Sequence, residues 1–305
     1  MRIAILGATG YVGRSLAVRL ARDPRAELSL FVRDVDQAEK MLRALGVPES
    51  VQIHHIDTLL RRGADVIVNA TGIGSPQALA SNPRAIFEVT ESMDALTMAY
   101  CKRYPGVRAF NISTGAIYGG RCGEPLLKAA EATFDPDAVH VSDFYAVAKL
   151  ASELKHRAHD NLPIVDLRLF SFFSAQVDVS ESFFLLSQLV ACVRSGEVFI
   201  TSPDDIVRDY VTPEMVSHVL FFLLQRPPEN TAYDLQSAWP VTKFDLLTYF
   251  KETWGLRTAI TDEEPQSPTG KKHAYYSCRT TLADMGCAPK YTSLEAIDRV
   301  MRTMQ

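Results

Sequence analysis

The sequence predicts an α/β fold, a doubly wound parallel sheet with helices on both faces and a smaller C-terminal α/β lobe. Up to about residue 170, short apolar or β-branched runs alternate with longer stretches of helical periodicity. This alternation is typical of a buried parallel sheet. The first run leads directly into three glycines at regular spacing. Because the alternation stops near residue 170, we expect one domain over 1–170 with a return segment at about 205–235, and a smaller lobe over 171–305.

The first strand, turn and helix predict a dinucleotide site of the Rossmann type. An apolar run over residues 3–6 precedes Gly7, Gly10 and Gly13, and helical periodicity follows. Glycine permits a sharp reversal and a close approach of the backbone to a pyrophosphate, whose charge is stabilised at a helix N-terminus. The alternative is an ordinary strand-to-helix turn. The residues expected at this turn are Gly7, Thr9, Gly10, Tyr11, Val12, Gly13 and Arg14.

Further strands are predicted at 28–32, 51–53, 66–69, 107–112, 164–170 and 198–200. Asn82 and Pro83 form an N-cap and N1 pair that predicts a long helix to about residue 104. A buried helix is expected over 183–193, and a turn over 202–205. Later helices are expected to open at Thr212, before Pro213, at Thr242 and at Thr292.

Composition limits the possible classes of function. The 305 residues are 47% hydrophobic with a net charge of −4, so the chain has no electrostatic footprint for nucleic acid. The five cysteines are scattered, which fits a reducing compartment. The histidines lack the spacing of a metal site, and the apolar runs are too short to span a bilayer. The chain starts on a strand, without room for a signal peptide. We expect a cytoplasmic protein without metal, nucleic-acid or membrane partners.

Residues 145 and 149 carry the first chemical signal. Tyr145 and Lys149 lie four positions apart, on one face of a predicted helix. A free phenol has a pKa of about 10, so it needs a nearby cation to titrate near neutrality. Lys149 and a positively charged nicotinamide ring would supply that charge. Upstream, Ser113 and Thr114 follow a predicted strand, at the edge where ligands bind in such sheets.

These residues resemble the extended short-chain dehydrogenases/reductases, in the branch called the NAD-dependent epimerase/dehydratase family, which acts mostly on nucleotide sugars. Residues 7–13 (GATGYVG) are similar to its GxxGxxG motif, 113–119 (STGAIYG) to its catalytic hydroxyl segment, and 145–149 (YAVAK) to its YxxxK motif. The resemblance covers nearly the whole chain and implies that Thr114, Tyr145 and Lys149 are catalytic. It also implies that the dinucleotide is surrounded by Asp57, Thr58, Ala70, Thr71, Gly72, Tyr145 and Lys149. For Asp57, which would lie against the adenine, the alternative is a residue that caps a turn.

The resemblance also implies a substrate site and an assembly. Residues 207–211 (VRDYV) resemble a family element in which Arg208 would contact the diphosphate of a nucleotide sugar. Arg279, before a segment that resembles the family's closing region, is a second candidate, and Ser113, Thr114 and Tyr145 complete the expected substrate site. Family members commonly form homodimers through the helix over 82–104 and the helix that carries Tyr145. Apolar surface on the first helix would come from Ala85, Phe87, Val89, Leu96 and Met98.

Two positions depart from the family pattern. Thr90 replaces the asparagine that is usual in the long helix. The glycine-proline pair that commonly ends the strand after YxxxK is missing from residues 168–175. The first departure affects the proton relay and the second affects the sugar pocket.

The end of the second strand predicts the cofactor. NAD enzymes place an acid there, whereas NADP enzymes need a cation for the 2′-phosphate. Arg33 occupies that position, and Arg14 follows the third glycine. These cations favour NADP(H) over NAD(H). Asp34 argues against this. If the end of the second strand lies one residue later in the chain, the acid of Asp34 occupies the critical position and NAD(H) is favoured.

The reaction can be narrowed by the residues after Thr114. The sugar dehydratases of the family place an Asp-Glu pair there for elimination of water, whereas this chain has Gly115 and Ala116. Two reactions on sugars remain: NADPH-dependent reduction of a 4-keto-(6-deoxy)hexose nucleotide, which we favour, and 4-epimerisation. Reduction of a non-sugar carbonyl and NADP sensing without catalysis are also compatible with the fold.

Overall fold

The computed structural model describes residues 1–73, 81–119, 124–127, 130–179, 184–262 and 273–304. The strands in this part of the chain are Arg2–Leu6 (β1), Glu27–Val32 (β2), Gln52–His55 (β3), Val66–Asn69 (β4), Arg108–Thr114 (β5), Ile164–Leu169 (β6), Ser171–Phe172 (β7), Val198–Thr201 (β8), Val207–Arg208 (β9), Tyr210–Val211 (β10), Thr231–Leu235 (β11), Val241–Thr242 (β12), Arg257–Ile260 (β13) and Ala274–Tyr275 (β14). The α-helices are Tyr11–Leu20 (α1), Val35–Ala44 (α2), Ala85–Arg103 (α3), Phe144–Ala158 (α4), Leu185–Ser195 (α5), Pro213–Leu224 (α6), Lys243–Trp254 (α7), Thr281–Asp284 (α8) and Ser293–Arg302 (α9).

A seven-stranded parallel sheet forms the centre of the molecule, in the order β11-β6-β5-β4-β1-β2-β3. The prediction of a doubly wound α/β fold is therefore confirmed. The predicted strands over 28–32, 51–53, 66–69, 107–112 and 164–170 all occur, with ends shifted by at most two residues. The chain changes direction across the sheet between β1 and β4, so the carboxyl edge beside these strands is the expected ligand site.

Helices cover both faces of the sheet, which explains why its central strands read as continuous apolar runs. Alternate residues of β1 enter two different apolar clusters. Ile3 and Ile5 pack on the face that carries α1, α2 and α6. Ala4 and Leu6 pack on the face that carries α3, together with Met98. Every residue of β4 and β5 is buried, as expected for strands between two layers of helices.

The C-terminal helices pack around a separate apolar cluster that includes Phe173, Leu189, Phe250 and Ile297. A separate sheet of three strands brings distant segments of the chain together. In it β9 pairs with β12 on one side and with β14 on the other. The pairing aligns Arg208 with Tyr275, so two residues far apart in sequence lie next to each other.

The helix caps confirm three predictions and correct one. The hydroxyls of Thr212, Thr242 and Thr292 each accept a backbone N–H of their helix. The prediction that Asn82 caps α3 is wrong: the N-cap is Arg84, without a side-chain bond. Residues 82–85 form a turn instead, in which the N–H of Ala85 donates to the Asn82 carbonyl. None of the helices in the described ranges combines the length and the apolar character needed to cross a bilayer.

A buried ion network fixes α4 to its neighbours. His156 is fully buried; its Nδ1 lies 2.9 Å from a carboxylate oxygen of Asp166, and its Nε2 lies 2.5 Å from one of Asp94. Asp166 also accepts from Asn111 and Arg157, each at 2.7 Å. Burial by itself would lower the pKa of His156, but the two carboxylates raise it to about 9. The imidazole is therefore charged at neutral pH and joins α3, α4 and β6.

Candidate active site

The glycine turn lies at the carboxyl end of β1. Gly7 has a φ of +73°, a region that favours glycine. A Cβ at Gly13 would come closer than 3.0 Å to the Gly7 carbonyl, so α1 and β1 could not approach each other with a larger residue there. A Cβ at Gly10 would meet only the Gly7 oxygen, at 3.4 Å. The backbone at Gly10 therefore faces open space, where a ligand could approach.

The N-terminus of α1 has the features of an anion site. Gly10 is its N-cap and offers no side-chain acceptor, and the first turn contains no acidic residue. Its first backbone N–H groups are thus available to an external anion, and the helix dipole favours negative charge at this end. The residues present fit a dinucleotide pyrophosphate.

Arg14 and Arg33 occupy different environments, although the sequence grouped them. The guanidinium of Arg14 donates to the carbonyl of Gln176 from Nε at 3.1 Å and from Nη2 at 2.8 Å. Arg33 is exposed just beyond β2. Asp34 is the N-cap of α2 and accepts from the N–H of Gln37 at 2.9 Å. Asp34, the acid that would have favoured NAD, therefore caps α2. Of the two cations, Arg33 is the more accessible.

The other expected cofactor residues follow β1, β3 and β4 at the same sheet edge. The ring of Tyr11 contacts Phe172, and its hydroxyl accepts from the N–H of Ser174. Asp57 is exposed, and Thr58 donates to the His55 carbonyl. Of the other predicted residues, Thr9 and Val12 lie within the glycine turn and the start of α1, and Ala70 directly follows β4.

Lys149 connects the end of β4 to β5. Its ammonium donates to the carbonyls of Thr71, at 3.0 Å, and Ile112, at 2.9 Å, and a Cβ at Gly72 would lie 3.8 Å from it. Burial lowers the pKa of Lys149 to about 8. Tyr145 lies one turn earlier on α4, and burial raises its pKa to about 12. That Lys149 and a positively charged nicotinamide ring together lower the pKa of Tyr145 stays a prediction.

Thr114 and Ser113 use their hydroxyls differently. Thr114 lies at the end of β5; its Oγ1 accepts from the N–H of Ala116 and lies 3.1 Å from the hydroxyl of Tyr275. Ser113 is 2% exposed and donates to Glu153 at 2.5 Å. Adjacent strand residues point to opposite faces. The expectation that Ser113 contacts substrate is therefore corrected, because its hydroxyl is used inside the protein.

Tyr275 is a site residue that the sequence did not reveal. Its hydroxyl lies near Thr114, and its ring packs against Phe170 at a tilt, with 5.2 Å between the ring centres. Its strand places it beside Arg208. It follows Thr114 by 161 positions. The tyrosine pair at 275 and 276 was the one available signal, and it has no characteristic spacing from any motif.

Arg208 is half-buried in β9, and its Nη1 donates to the carbonyl of Val207 at 2.9 Å. Its neighbour Asp209 is 2% exposed and accepts from the N–H of Ser237 and the hydroxyl of Ser293. Within the described ranges no ion pair joins Arg208 to Asp209. The guanidinium of Arg208 therefore keeps donors for an anionic ligand.

Arg279, in contrast, is held by the protein. It donates to the carbonyl of Ala130 at 2.8 Å, lies over the ring of Tyr118, and has its Nε 3.9 Å from Asp234. Asp234 also accepts from Ser277 at 2.6 Å. These contacts leave Arg279 a weaker candidate for a phosphate contact than Arg208.

Arg168 is the centre of this network and was also missed. It pairs with Glu153 at 2.5 Å and with Asp234 at 3.2 Å, and it donates to the Tyr118 hydroxyl at 2.7 Å. The Glu153 carboxyl in turn accepts from Ser113. The network thus supports the segment behind Thr114.

Gly115 has no room for a side chain. A Cβ at this position would lie closer than 3.0 Å to the ring of Phe170, which is 6% exposed and packs against the ring of Tyr275. The next residue is Ala116. A carboxylate is therefore absent from the two positions after Thr114, and position 115 has no room for one.

Comparison with known families gives one match that covers most of the chain. The sequence model of the NAD dependent epimerase/dehydratase family matches residues 3–235. The match includes the glycine turn, Thr114, Tyr145, Lys149 and Arg208.

Solved structures of the same fold include three informative examples. A UDP-glucose 4-epimerase from Thermotoga maritima with UDP-glucose has a TM-score of 0.80 at 15% identity, over 99% of both chains. A UDP-N-acetylglucosamine 4-epimerase from Methanobrevibacter ruminantium with UDP-N-acetylmuramic acid has a TM-score of 0.79 at 16% identity, over 100% of this chain and 99% of that one. A dTDP-glucose 4,6-dehydratase from Bacillus anthracis with NAD has a TM-score of 0.75 at 13% identity, over 99% and 96%.

Proposed function

The chain belongs to the NAD dependent epimerase/dehydratase family, and from this membership we propose that it is a nucleotide-sugar oxidoreductase that transfers a hydride and a proton at one sugar carbon without eliminating water. The observation that carries the proposal is the contact between Gly115 and Phe170, which leaves no space for an acid after Thr114. The half-buried cation of Arg208 supports a nucleotide diphosphate as the part of the substrate that is bound.

Each residue of the proposed site has a separate role in the reaction. The bound nicotinamide nucleotide would supply the hydride acceptor or donor. Tyr145 gives a proton to the sugar oxygen or takes one from it, and Thr114 orients that oxygen. Lys149, held by the carbonyls of Thr71 and Ile112, stabilises the ribose side of the cofactor site. The N-terminus of α1 would hold the pyrophosphate.

Reduction of a nucleotide 4-keto-(6-deoxy)hexose by NADPH is our first candidate. With a pKa raised to about 12 by burial, Tyr145 is protonated at neutral pH and can donate to a ketone oxygen. The exposed Arg33 supports NADPH, because a cation at the end of β2 suits the 2′-phosphate.

4-Epimerisation is the second candidate. It is favoured by the two 4-epimerases of the same fold, whose ligands are UDP-sugars. An epimerase returns the hydride to the same carbon and consumes no cofactor. The two candidates therefore differ in their stoichiometry.

The test has two assays, one with NADPH and a dTDP-4-keto-6-deoxyhexose and one with NAD⁺ or NADP⁺ and a UDP-hexose, each followed by nicotinamide absorbance and by product analysis. A reductase consumes one NADPH for each keto-sugar. An epimerase interconverts two UDP-hexoses with no net reduction of the oxidised nucleotide. Release of a 4-keto-6-deoxy product from a nucleotide hexose would instead reveal elimination and contradict the proposal.

We predict that Arg33→Asp shifts the preference from NADP toward NAD. A carboxylate repels the 2′-phosphate, so the dissociation constant for NADP should rise by about tenfold or more, while that for NAD changes little. Titration calorimetry with both nucleotides measures the two constants. Lys102→Asp, an exposed lysine on α3, is the matched control. Equal affinity of the wild type for both nucleotides would speak against the role of Arg33.

Arg208→Ala is predicted to weaken nucleotide-sugar binding by about tenfold to a hundredfold, because a charged hydrogen bond contributes about 1.5–3 kcal/mol. Cofactor affinity should stay near that of the wild type. Arg279→Ala is the comparison: its guanidinium already donates to Ala130, so a smaller effect on binding is expected. Isothermal titration with UDP and with NADPH separates the two sites. A larger loss in Arg279→Ala would reverse our assignment.

We further propose a homodimer formed by α3 and α4. Phe87 on α3 is 37% exposed and Leu154 on α4 is 61% exposed, although Met98 packs into the sheet core. Leu154→Glu should therefore dissociate a dimer that light scattering detects in the wild type, whereas Ile260→Glu on β13 should not. A monomeric wild type at micromolar concentration would contradict this.

Two broader proposals remain from the sequence. The separate apolar cluster around Phe250 supports a C-terminal lobe over 171–305, and β11 in the central sheet supports the return segment at 205–235. Free thiols at Cys101, Cys192, Cys278 and Cys287 support a cytoplasmic location.

A further inference from the structure

A cavity of about 330 Å³ lies between α1, α6 and the segment that follows α8. The residues assigned to cofactor and substrate above are not among those that line it. Its size falls within the range of small-molecule sites, about 300–1,000 Å³. The cavity is therefore a candidate for a ligand that is neither the cofactor nor the nucleotide sugar.

The inner wall of this cavity is apolar. It is formed by Val211, Met215, Leu235 and Leu282, each at most 9% exposed. These side chains come from four different elements and also belong to the main apolar cluster. A ligand that reaches this wall must present an apolar group to it, since a polar group would lose its hydration there.

The rim of the cavity is cationic. Arg19, Arg25 and Lys290 line it, against one carboxylate, Glu214. Two charged residues outside the lining form ion pairs with these side chains. Asp23 is paired with Arg25 at 2.8 Å and with Arg19 at 3.4 Å, and Arg299 is paired with Glu214 at 3.4 Å. Because these partners have opposite charges, the positive excess at the rim persists in a chain whose net charge is −4.

The cations are partly fixed in position. Arg25 is held by the buried carboxylate of Asp23, and its guanidinium lies 3.7 Å from the ring centre of Phe221. Lys290 is exposed and lies close enough to His218 that, after burial, it and Arg25 lower the pKa of that histidine. Cations from two separate parts of the chain thus converge on one opening.

We propose that this cavity binds a small amphipathic anion, with its apolar group against Val211, Met215, Leu235 and Leu282 and its carboxylate, phosphate or sulfonate beside Arg25 and Lys290. The proposal does not depend on the reaction proposed above. The site is linked to the substrate region, since Val211 follows Arg208 by three residues and Gln236, on the cavity wall, donates to the Arg279 carbonyl.

The test uses 8-anilinonaphthalene-1-sulfonate, which joins aromatic rings to one sulfonate, as a fluorescent probe of the full chain. The titration is made without and then with saturating NADP⁺ and UDP-glucose, so that a probe bound in the dinucleotide or nucleotide-sugar site is displaced. We expect saturable binding with one probe for each chain. The neutral analogue N-phenyl-1-naphthylamine has the same rings without the charge, and we expect it to bind more weakly by about tenfold or more.

Two variants locate the bound probe. Lys290→Glu reverses an exposed charge at the rim and should weaken binding by about tenfold, whereas Lys40→Glu, an exposed lysine on α2, should not. Cys287→Phe places a ring in the cavity wall, where Cys287 is 4% exposed, and should abolish binding. If Cys287→Phe does not fold, the comparison of Lys290→Glu with Lys40→Glu and the binding of the neutral analogue still test the proposal.

Three results would overturn the proposal. Displacement of the probe by NADP⁺ or UDP-glucose would assign it to the active site. Equal affinity of Lys290→Glu and Lys40→Glu for the probe would show that the cationic rim does not contribute to binding. Equal binding of the charged and neutral probes would show an apolar cavity without preference for anions.

Discussion

Replacing Tyr145 by phenylalanine is expected to lower kcat by about 10²- to 10⁴-fold, the usual contribution of a general acid or base. The change removes the one hydroxyl of a half-buried ring on α4 and leaves the backbone and the ring in place. Cofactor affinity should change little. Thr114→Ala should cost less, because an orienting hydrogen bond is lost while the proton donor remains.

Steady-state kinetics on the substrate identified above, with titration calorimetry for NADPH, measure both expectations. Tyr249→Phe is the matched control: its hydroxyl bonds Asp298 and Trp254 in the C-terminal helices, far in sequence from Thr114 and Lys149, and should leave kcat unchanged. A Tyr145→Phe variant that keeps wild-type kcat would exclude Tyr145 as the proton donor.

The largest effect on stability is expected at His156. Its imidazolium bridges Asp94 and Asp166 inside the protein, and His156→Leu would leave the network without its central charge. Breaking a buried ion pair typically costs about 3–5 kcal/mol. The midpoint of urea unfolding should fall accordingly, whereas His159→Leu, which loses one bond to a backbone carbonyl, should have a small effect. A loss below about 1 kcal/mol, as for an exposed pair, would contradict the role of His156.

The same histidine predicts a dependence of stability on pH. Its pKa is about 6.5 when unfolded and about 9 when folded. The stabilisation is therefore complete below pH 6.5 and is lost as the pH rises through 9, up to about 3 kcal/mol from this group. Urea unfolding at pH 6.5 and pH 9.5 measures the loss, which should be absent in His156→Leu. If His156→Leu loses the same unfolding free energy between these two pH values as the wild type, the pH dependence arises from other groups.

Most of the fold could be predicted because its central strands are buried on both sides. The strand over Val66–Asn69 has no polar face to interrupt its apolar run, and glycines mark the turn after β1. The cap of α3 was predicted wrongly because Asn82 and Pro83 suit a turn as well as a helix start, and the turn closed on Ala85 prevails. Local sequence cannot distinguish these two uses of the same pair.

The candidate site could be predicted where its residues form motifs along the chain, and less well where distant segments meet. Thr114, Tyr145 and Lys149 stand at fixed positions in recognisable segments. Tyr275, Phe170 and Arg168 do not: their contacts with Thr114, Gly115 and Asp234 follow from the way distant segments meet. Ser113 was assigned to the substrate because the sequence does not show that Glu153 lies within reach of its hydroxyl.

The bond between Thr114 and Tyr275 also bears on the order in which the protein becomes active. It closes a loop of 161 residues, and Tyr275 is placed by β14, whose partner β9 belongs to a different sheet from Thr114. Contacts between residues so far apart lose chain entropy before they return binding energy, so they form late. During refolding, recovery of substrate binding and turnover should lag behind recovery of helix and strand content, because the contact between Thr114 and Tyr275 forms near the end.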